Sequence, residues 1–294
     1  MTRTVEGFSS LDHACAVPVS DEQLWEMTAR FVADGLAAGE QVVYFDDGTV
    51  EAVLDRLSDD RVDIGGPIDG HQLEIVPPEA TRTALRSTTG QVREIVAGTI
   101  DGALQRGFSG VRMTGQLSYA LERRGGVSLA EYDAAMAEAI LGKPASVLCF
   151  YDRRRFPEHD IEELRAQHHT EVAVHAIYDD TMLRITSTGP GGARLAGEID
   201  HSNRQRIRRL LDTTLDHALR SHSAPTDITL DLSSLRFLDV AGAVSLVHAA
   251  EEFPSTHRLV LTGVRPRVVR VLDRCGAPFA AQLEMHSRVD GPSA

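Results

Sequence analysis

The sequence predicts an α/β protein of two domains, each a mainly parallel sheet covered by helices. Three observations predict it. Short apolar runs alternate with amphipathic stretches of helical period along most of the chain, as strand–helix–strand units do. The length, 294 residues, suits two domains of ordinary size, with one large domain as the alternative. A polar break at Tyr178-Asp179-Asp180 separates one alternating series from the next. The division expected is a first domain at 1–160, a connecting helix and linker at 161–179, a second domain at 180–288 and a frayed tail at 289–294.

In the first domain, residues 14–17 read as a strand. Residues 21–38 follow as a helix, with Leu24, Trp25, Phe31, Val32 and Leu36 on its apolar side and Gly39 ending it. Strands are expected at 41–47, 73–76, 111–116 and 146–151, and helices at 49–57, 90–106 and 128–141. A further helix is read from 158 to 174. In the second domain, 182–187 and 193–199 pair across the turn at Gly189-Pro190-Gly191-Gly192. A helix then carries Ile207, Leu210, Leu211, Thr214, Leu215 and Leu219 at helical spacing. Strands follow at 227–232 and 259–262, and helices begin at Asp239 and Pro266, the last stopped by Gly276-Ala277-Pro278.

Composition narrows the function. Hydrophobic residues at 42% and charged residues at 25% are those of a globular chain. A net charge of -13 argues against nucleic-acid binding. No apolar run approaches the roughly 20 residues of a membrane span, so no membrane partner is expected. The first residues lack a signal-peptide core. Cys15, Cys149 and Cys275 form no CxxC pair; with the missing signal peptide, this places the chain in a reducing cytoplasm.

The most informative stretch is Asp231-Leu-Ser-Ser-Leu-Arg-Phe-Leu-Asp-Val-Ala-Gly242. Asp239 is a good N-cap, because its carboxylate accepts from free N–H groups of the first helical turn. The stretch resembles the signature of STAS domains, the family of anti-sigma factor antagonists. Leu195-Ala-Gly-Glu-Ile-Asp200 and Leu261-Thr-Gly-Val-Arg-Pro-Arg-Val268 resemble two further steps of that family, and the likeness spans about 181–285. It implies a STAS α/β fold with a docking surface at Phe237, Leu238, Asp239, Val240, Ala241, Gly242 and Val244. In phosphorylatable members two hydroxyl residues follow the Asp, and the second takes the phosphate. Here Val240 and Ala241 occupy those places, a pseudo-phosphosite that cannot carry phosphate. The partner implied is an anti-sigma factor or related kinase-like regulator. Other STAS proteins in a self-assembling scaffold are the alternative, and a homodimer is among the assemblies allowed.

Four stretches of the first domain resemble the MEDS sensory family: His13-Ala-Cys-Ala16, Gly35-Leu-Ala-Ala-Gly-Glu40, Gly110-Val-Arg-Met-Thr-Gly-Gln116 and Tyr151-Asp-Arg-Arg-Arg-Phe156. The likeness covers about 7–157 and implies a RecA-like parallel α/β sheet that senses a small ligand for a fused output. Gln116 stands where the family often has Glu, so a carboxylate role there is lost. No G-x-x-x-x-G-K-[ST] loop occurs; Gly142-Lys143 is followed by Pro144. ATP hydrolysis is therefore not expected.

Ligands of open α/β sheets bind outside the carboxyl ends of strands. The polar residues read there are Asp46, Asp47, Arg112, Thr114, Gln116, Asp152, Arg153 and Arg154, with His13 and Cys15 in the first strand. His13 and Cys15 share one side of a strand. They read as a metal or haem pair, a redox thiol, or a capping His beside a core Cys. The last reading is preferred, since two ligands do not close a site, and no cofactor or metal is expected. His168, His169 and His175 read as a solvated helix face. Arg204, Arg206, Arg208 and Arg209 read as a solvated face beside Ile207, Leu210 and Leu211. The run Arg153-Arg154-Arg155 reads equally as a phosphate cluster or as neutralisation of its acidic neighbours. Asp179 and Asp180 read as a solvated pair. Ser118, Ser128, Ser233, Ser234 and Ser245 lack a G-x-S-x-G elbow, and no nucleophile–base pair marks an enzyme. The expectation is a non-enzymatic regulator whose first domain gates docking by the second.

Overall fold

The computed structural model describes residues 3–5, 13–46, 48–116, 127–220 and 226–287. The chain divides into two units, Met1–Val174 and His175–Ala294. In the first, seven strands form one sheet: β1 (Arg3–Val5), β2 (His13–Ala16), β3 (Gln41–Phe45), β4 (Leu73–Val76), β5 (Val111–Gln116), β6 (Ala145–Phe150) and β7 (Thr170–Val172). Their order is β1-β7-β2-β6-β5-β3-β4, and every pairing is parallel. Parallel strands need covered faces, and alternate side chains serve both. Cys15, Met113, Val147 and Cys149 belong to one core cluster with Val96, Ile100 and Met136. Ala14, Val42, Tyr44 and Leu148 belong to the other with Leu24, Phe31 and Leu57. The helices supplying those residues are α1 (Asp21–Ala37), α2 (Val50–Asp59), α5 (Thr89–Gln105) and α6 (Leu129–Ile140). Capping boxes begin α5 at Thr88 and α6 at Ser128. A Cβ on Gly115 would come 2.3 Å from the Phe45 carbonyl oxygen, so β3 and β5 meet at a place only glycine fits.

Five elements of this unit differ from the sequence reading, β1 among them. The helix expected at 158–174 is a shorter helix, α7 (Glu158–Ala166), followed by β7. The expected linker at 161–179 therefore begins inside the first unit: Ile161 and Leu164 are in its core, and β7 pairs with β2. Short helices α3 (Gly65–Asp69) and α4 (Pro78–Leu85) lie in stretches to which the sequence assigned no element. Pro78 opens α4 at its first position, where the N–H it lacks is unpaired anyway.

The second unit holds β8 (Tyr178–Asp179), β9 (Leu183–Gly189), β10 (Gly192–Ile199), β11 (Asp227–Asp231), β12 (Leu235–Leu238), β13 (Arg258–Val264) and β14 (Leu283–Ser287). The sheet runs β14-β13-β11-β10-β9-β8, with β12 also on β10. The β8–β9 and β9–β10 pairs are antiparallel and the rest parallel. Helices α8 (Arg204–Arg220), α9 (Val240–Glu251) and α10 (Pro266–Arg274) bury Ile207, Leu246 and Leu272 in the shared core with Leu195, Leu230 and Leu261. Asp179 and Asp180 are not a solvated pair. Asp179 forms an ion pair with Arg184, whose side chain is 1% exposed. Asp180 accepts from the Met182 and Leu183 backbone N–H groups at 2.7 Å. The two carboxylates thus fix the entry to β9.

Candidate functional site

On the α6 face of the first sheet, four polar side chains converge from four places in the chain. His13 starts β2, Cys149 lies on β6, Asp133 on α6, and His168 in the turn after α7. One donor atom from each lies within 4.8 Å of every other. His13 Nε2 is 3.4 Å from Asp133 Oδ1 and 3.6 Å from Cys149 Sγ. Cys149 Sγ is 3.4 Å from Asp133 Oδ1, and His168 Nε2 is 3.3 Å from Asp133 Oδ2. The imidazole rings of His13 and His168 lie 4.2 Å apart at their centres. The Asp133 side chain is 2% exposed and that of His168 is fully buried. Parallel register brings the strand residues together: Cys15 aligns with Cys149, and His13 with Val147.

The electrostatics follow from this burial. Burial alone would raise the Asp133 carboxyl, but hydrogen bonding and charge from His13, the charge of His168 and the Tyr151 hydroxyl hold it below the usual carboxylate range. Tyr151 donates to Asp133 Oδ1 at 3.0 Å. Burial holds the His168 imidazole below its ordinary value, against the pull of Asp133. Its Nδ1 is 2.9 Å from the Leu164 carbonyl oxygen, which suits donation from Nδ1–H and turns Nε2 toward Asp133. Burial, reinforced by Asp133, pushes the Cys149 thiol well up. It also pushes Cys15 to about 12, so neither is a ready thiolate nucleophile.

In the second unit, Asp239 caps α9 by accepting from the Gly242 N–H at 2.5 Å. Its own N–H donates to the Ile199 carbonyl at 3.0 Å. A Cβ on Gly242 would come 2.9 Å from Asp239 Oδ1, Ile199 and Leu238, so the cap requires this glycine. Phe237 is 49% and Val240 66% exposed, large values for apolar residues at a helix start. Ala241 and Val244 are half-buried, while Leu238 and Gly242 are buried.

The family model described as the methanogen/methylotroph DcmR sensory domain, MEDS, matches residues 12–169. The chain belongs to the MEDS family. A STAS domain model matches residues 185–289, so a MEDS domain is fused to a STAS domain. Both are regulatory or sensory families rather than typical enzymes. Among solved structures, the flagellar accessory protein FlaH from Methanocaldococcus jannaschii is similar at 10% identity, with a TM-score of 0.45. The match covers 63% of this chain and 77% of that one. No curated protein matches the chain. Among the described residues no helix is long and apolar enough to cross a membrane.

Of the other expected ligand residues, Asp46, Thr114, Gln116 and Asp152 lie near the carboxyl ends of β3, β5 and β6, which are neighbours in the sheet. Arg112 lies at the amino end of β5, not its carboxyl end. It pairs with Glu40 and donates to the Phe31 carbonyl. Asp46 is buried and accepts from the Gly48 N–H at 2.8 Å. Thr114 donates to the Leu148 carbonyl at 2.9 Å, and Gln116 ends β5 half-buried. Asp152 is buried and takes both Arg154 Nε and Nη2, at 2.9 and 2.7 Å. Arg153 pairs with Glu158 at 3.1 Å, and Arg154 also with Asp21 at 2.6 Å. The arginine run thus neutralises nearby carboxylates rather than forming an open anion cluster. Asp47 and Ser118 lie outside the described residues.

His168 corrects the sequence reading most sharply, because it is buried, whereas His169 and His175 are exposed as expected. Asp133 was missed, although the sequence held a signal: it shares a helical face with Met136 and Ile140, where a carboxylate needs partners. In the STAS domain, Ser233 and Ser234 are each 2% exposed, and the Ser245 hydroxyl donates to the Ala241 carbonyl at 2.9 Å. Arg206 and Arg208 are exposed as read, and Arg208 reaches Glu252 at 3.4 Å.

Proposed function

We propose that this chain is a non-enzymatic regulator of the anti-sigma factor antagonist type. Its STAS domain docks an anti-sigma or related kinase-like partner, its docking is not switched by phosphate at the α9 start, and its MEDS domain gates it by sensing a small ligand. One observation carries the reading: the exposed, Asp239-capped start of α9 presents Val240 and Ala241, not hydroxyls, in its first turn. The face offered to a partner is Phe237, Val240, Ala241 and Val244, with Asp239 holding the turn. Leu238 and Gly242 support it from beneath. A phosphate in that turn would add nearly two negative charges to an otherwise apolar contact, and these side chains have no group to take it. For sensing, Phe45, Leu85, Met113, Tyr132, Met136 and Cys149 line an apolar pocket of about 30 Å³ in the MEDS domain, which a ligand would have to widen on entry.

The test is capture of an anti-sigma kinase-like protein by the full chain, compared with Val240→Asp and Ala241→Glu. Capture by the native chain and a loss of about tenfold or more with either variant supports the reading. Capture only of further copies of the chain or of other STAS proteins overturns it in favour of a scaffold. Phosphopeptides at Ser233, Ser234 or Ser245 that abolish capture would sink the claim that phosphate is not the switch.

A further inference from the structure

We propose that His13 Nε2, the Asp133 carboxylate, Cys149 Sγ and His168 Nε2 form a tetrahedral site for a divalent transition-metal ion of the zinc class. The first support is spacing. Zinc bonds of about 2.0–2.1 Å to nitrogen or oxygen and about 2.3 Å to sulfur set tetrahedral edges of roughly 3.3–3.6 Å. Of the observed edges, His13–Asp133 and Cys149–Asp133 are 3.4 Å to Oδ1 and His13–Cys149 is 3.6 Å; His168 lies 3.3 Å from the other carboxylate oxygen, Oδ2, and one ligand atom from each residue lies within 4.8 Å of every other. Charged hydrogen bonds between imidazolium and carboxylate would close to about 2.7–2.9 Å. The imidazole–carboxylate distances stand wider than that, at the separation a shared metal ion sets.

The second support is the donor set and its charge. Two imidazoles, a carboxylate and a thiolate are the mixed N, O and S ligands that zinc takes. A divalent cation with one carboxylate, one thiolate and two neutral imidazoles sums to zero, which suits a buried place. Binding displaces the Cys149 thiol proton to solvent as the sulfur–metal bond forms. The third support is the surrounding shell. His168 Nδ1 lies 2.9 Å from the Leu164 carbonyl, and Tyr151 donates to Asp133 Oδ1. Metal-binding imidazoles and carboxylates are commonly oriented in this way. Cys15, the partner of His13 in the metal-pair alternative read from the sequence, is not one of the four. The inference is independent of the docking reading, because it concerns the MEDS domain alone.

The test uses the full chain, stripped of metal with a chelator and titrated with Co²⁺ alone. The result expected is one cobalt per chain, with tetrahedral d–d absorption and a sulfur-to-cobalt charge-transfer band that Zn²⁺ removes. Cys149→Ser removes the charge-transfer band, and Cys275→Ser keeps it. His168→Gln weakens cobalt binding by about tenfold or more. Two outcomes overturn the proposal: a native chain, folded by circular dichroism, that gives no tetrahedral cobalt spectrum, or a charge-transfer band that persists in Cys149→Ser. The native titration decides the matter even where a variant does not fold.

Discussion

Asp133 in the MEDS domain and Asp239 in the STAS domain are both hydrogen-bond acceptors, yet they are satisfied by opposite means. Asp239 takes the N–H of Gly242, three residues away on its own helix. Asp133 is met by His13, Cys149, Tyr151 and His168, drawn from β2, β6 and the turns after β6 and α7. The first arrangement is a local cap that any exposed helix start can use. The second is a core device, because a carboxylate 2% exposed costs several kcal/mol unless paired. Removing one should trim a helix end, and removing the other should open a domain.

Four measurements break or sharpen that contrast. The largest effect is expected from Asp133→Ala, which leaves buried imidazole, thiol and phenol groups without their acceptor. It should cost the MEDS domain about 3–5 kcal/mol in urea unfolding of the full chain. A loss under about 1 kcal/mol would make it no different from a surface cap. Next comes Gly242→Ala, whose Cβ would crowd Asp239, Ile199 and Leu238 at 2.9 Å. A cost of about 1–3 kcal/mol, confined to the STAS domain's transition, is expected from such overpacking. Asp239→Ala should cost about 1 kcal/mol, the usual worth of a cap. The smallest effect concerns the capping box at Ser128 and Glu131. The Ser128 backbone N–H and hydroxyl hold the Glu131 carboxyl below the usual range. Its folded value is thus below its unfolded one. The contribution is complete above the usual glutamate range and fades as pH falls through the folded value. Ser128→Ala should therefore destabilise the chain at neutral pH, by less than Asp239→Ala, and the gap from native should shrink in acid.

The contrast also explains what the sequence disclosed. The Asp239 cap and the Val240-Ala241 pair were legible because the chemistry sits within four residues. So were the long helices α1 and α8, whose apolar residues recur at helical spacing. The cluster around Asp133 was not legible, because its members run from His13 to His168. They meet only through the parallel register of β2 with β6 and the return of the chain at β7. His168 was misread for one reason: the helix was extended through 174, whereas the chain leaves it after Ala166. β14 was missed because the alternating run Leu283-Glu-Met-His is short and nowhere fully buried, and its pairing to β13 supplies the order.

The place of β2 in the sheet bears on how the protein is made. β2 lies between β6 and β7, so an early strand of its domain waits for two of the latest in the same domain. Residue 13 cannot meet its neighbours until Val147 and Thr170 have been synthesised. Synthesis at about 5–20 residues per second makes that wait of the order of ten seconds. Through it, β2 is an unpaired strand for chaperones to shield, and His168 is among the last parts to arrive.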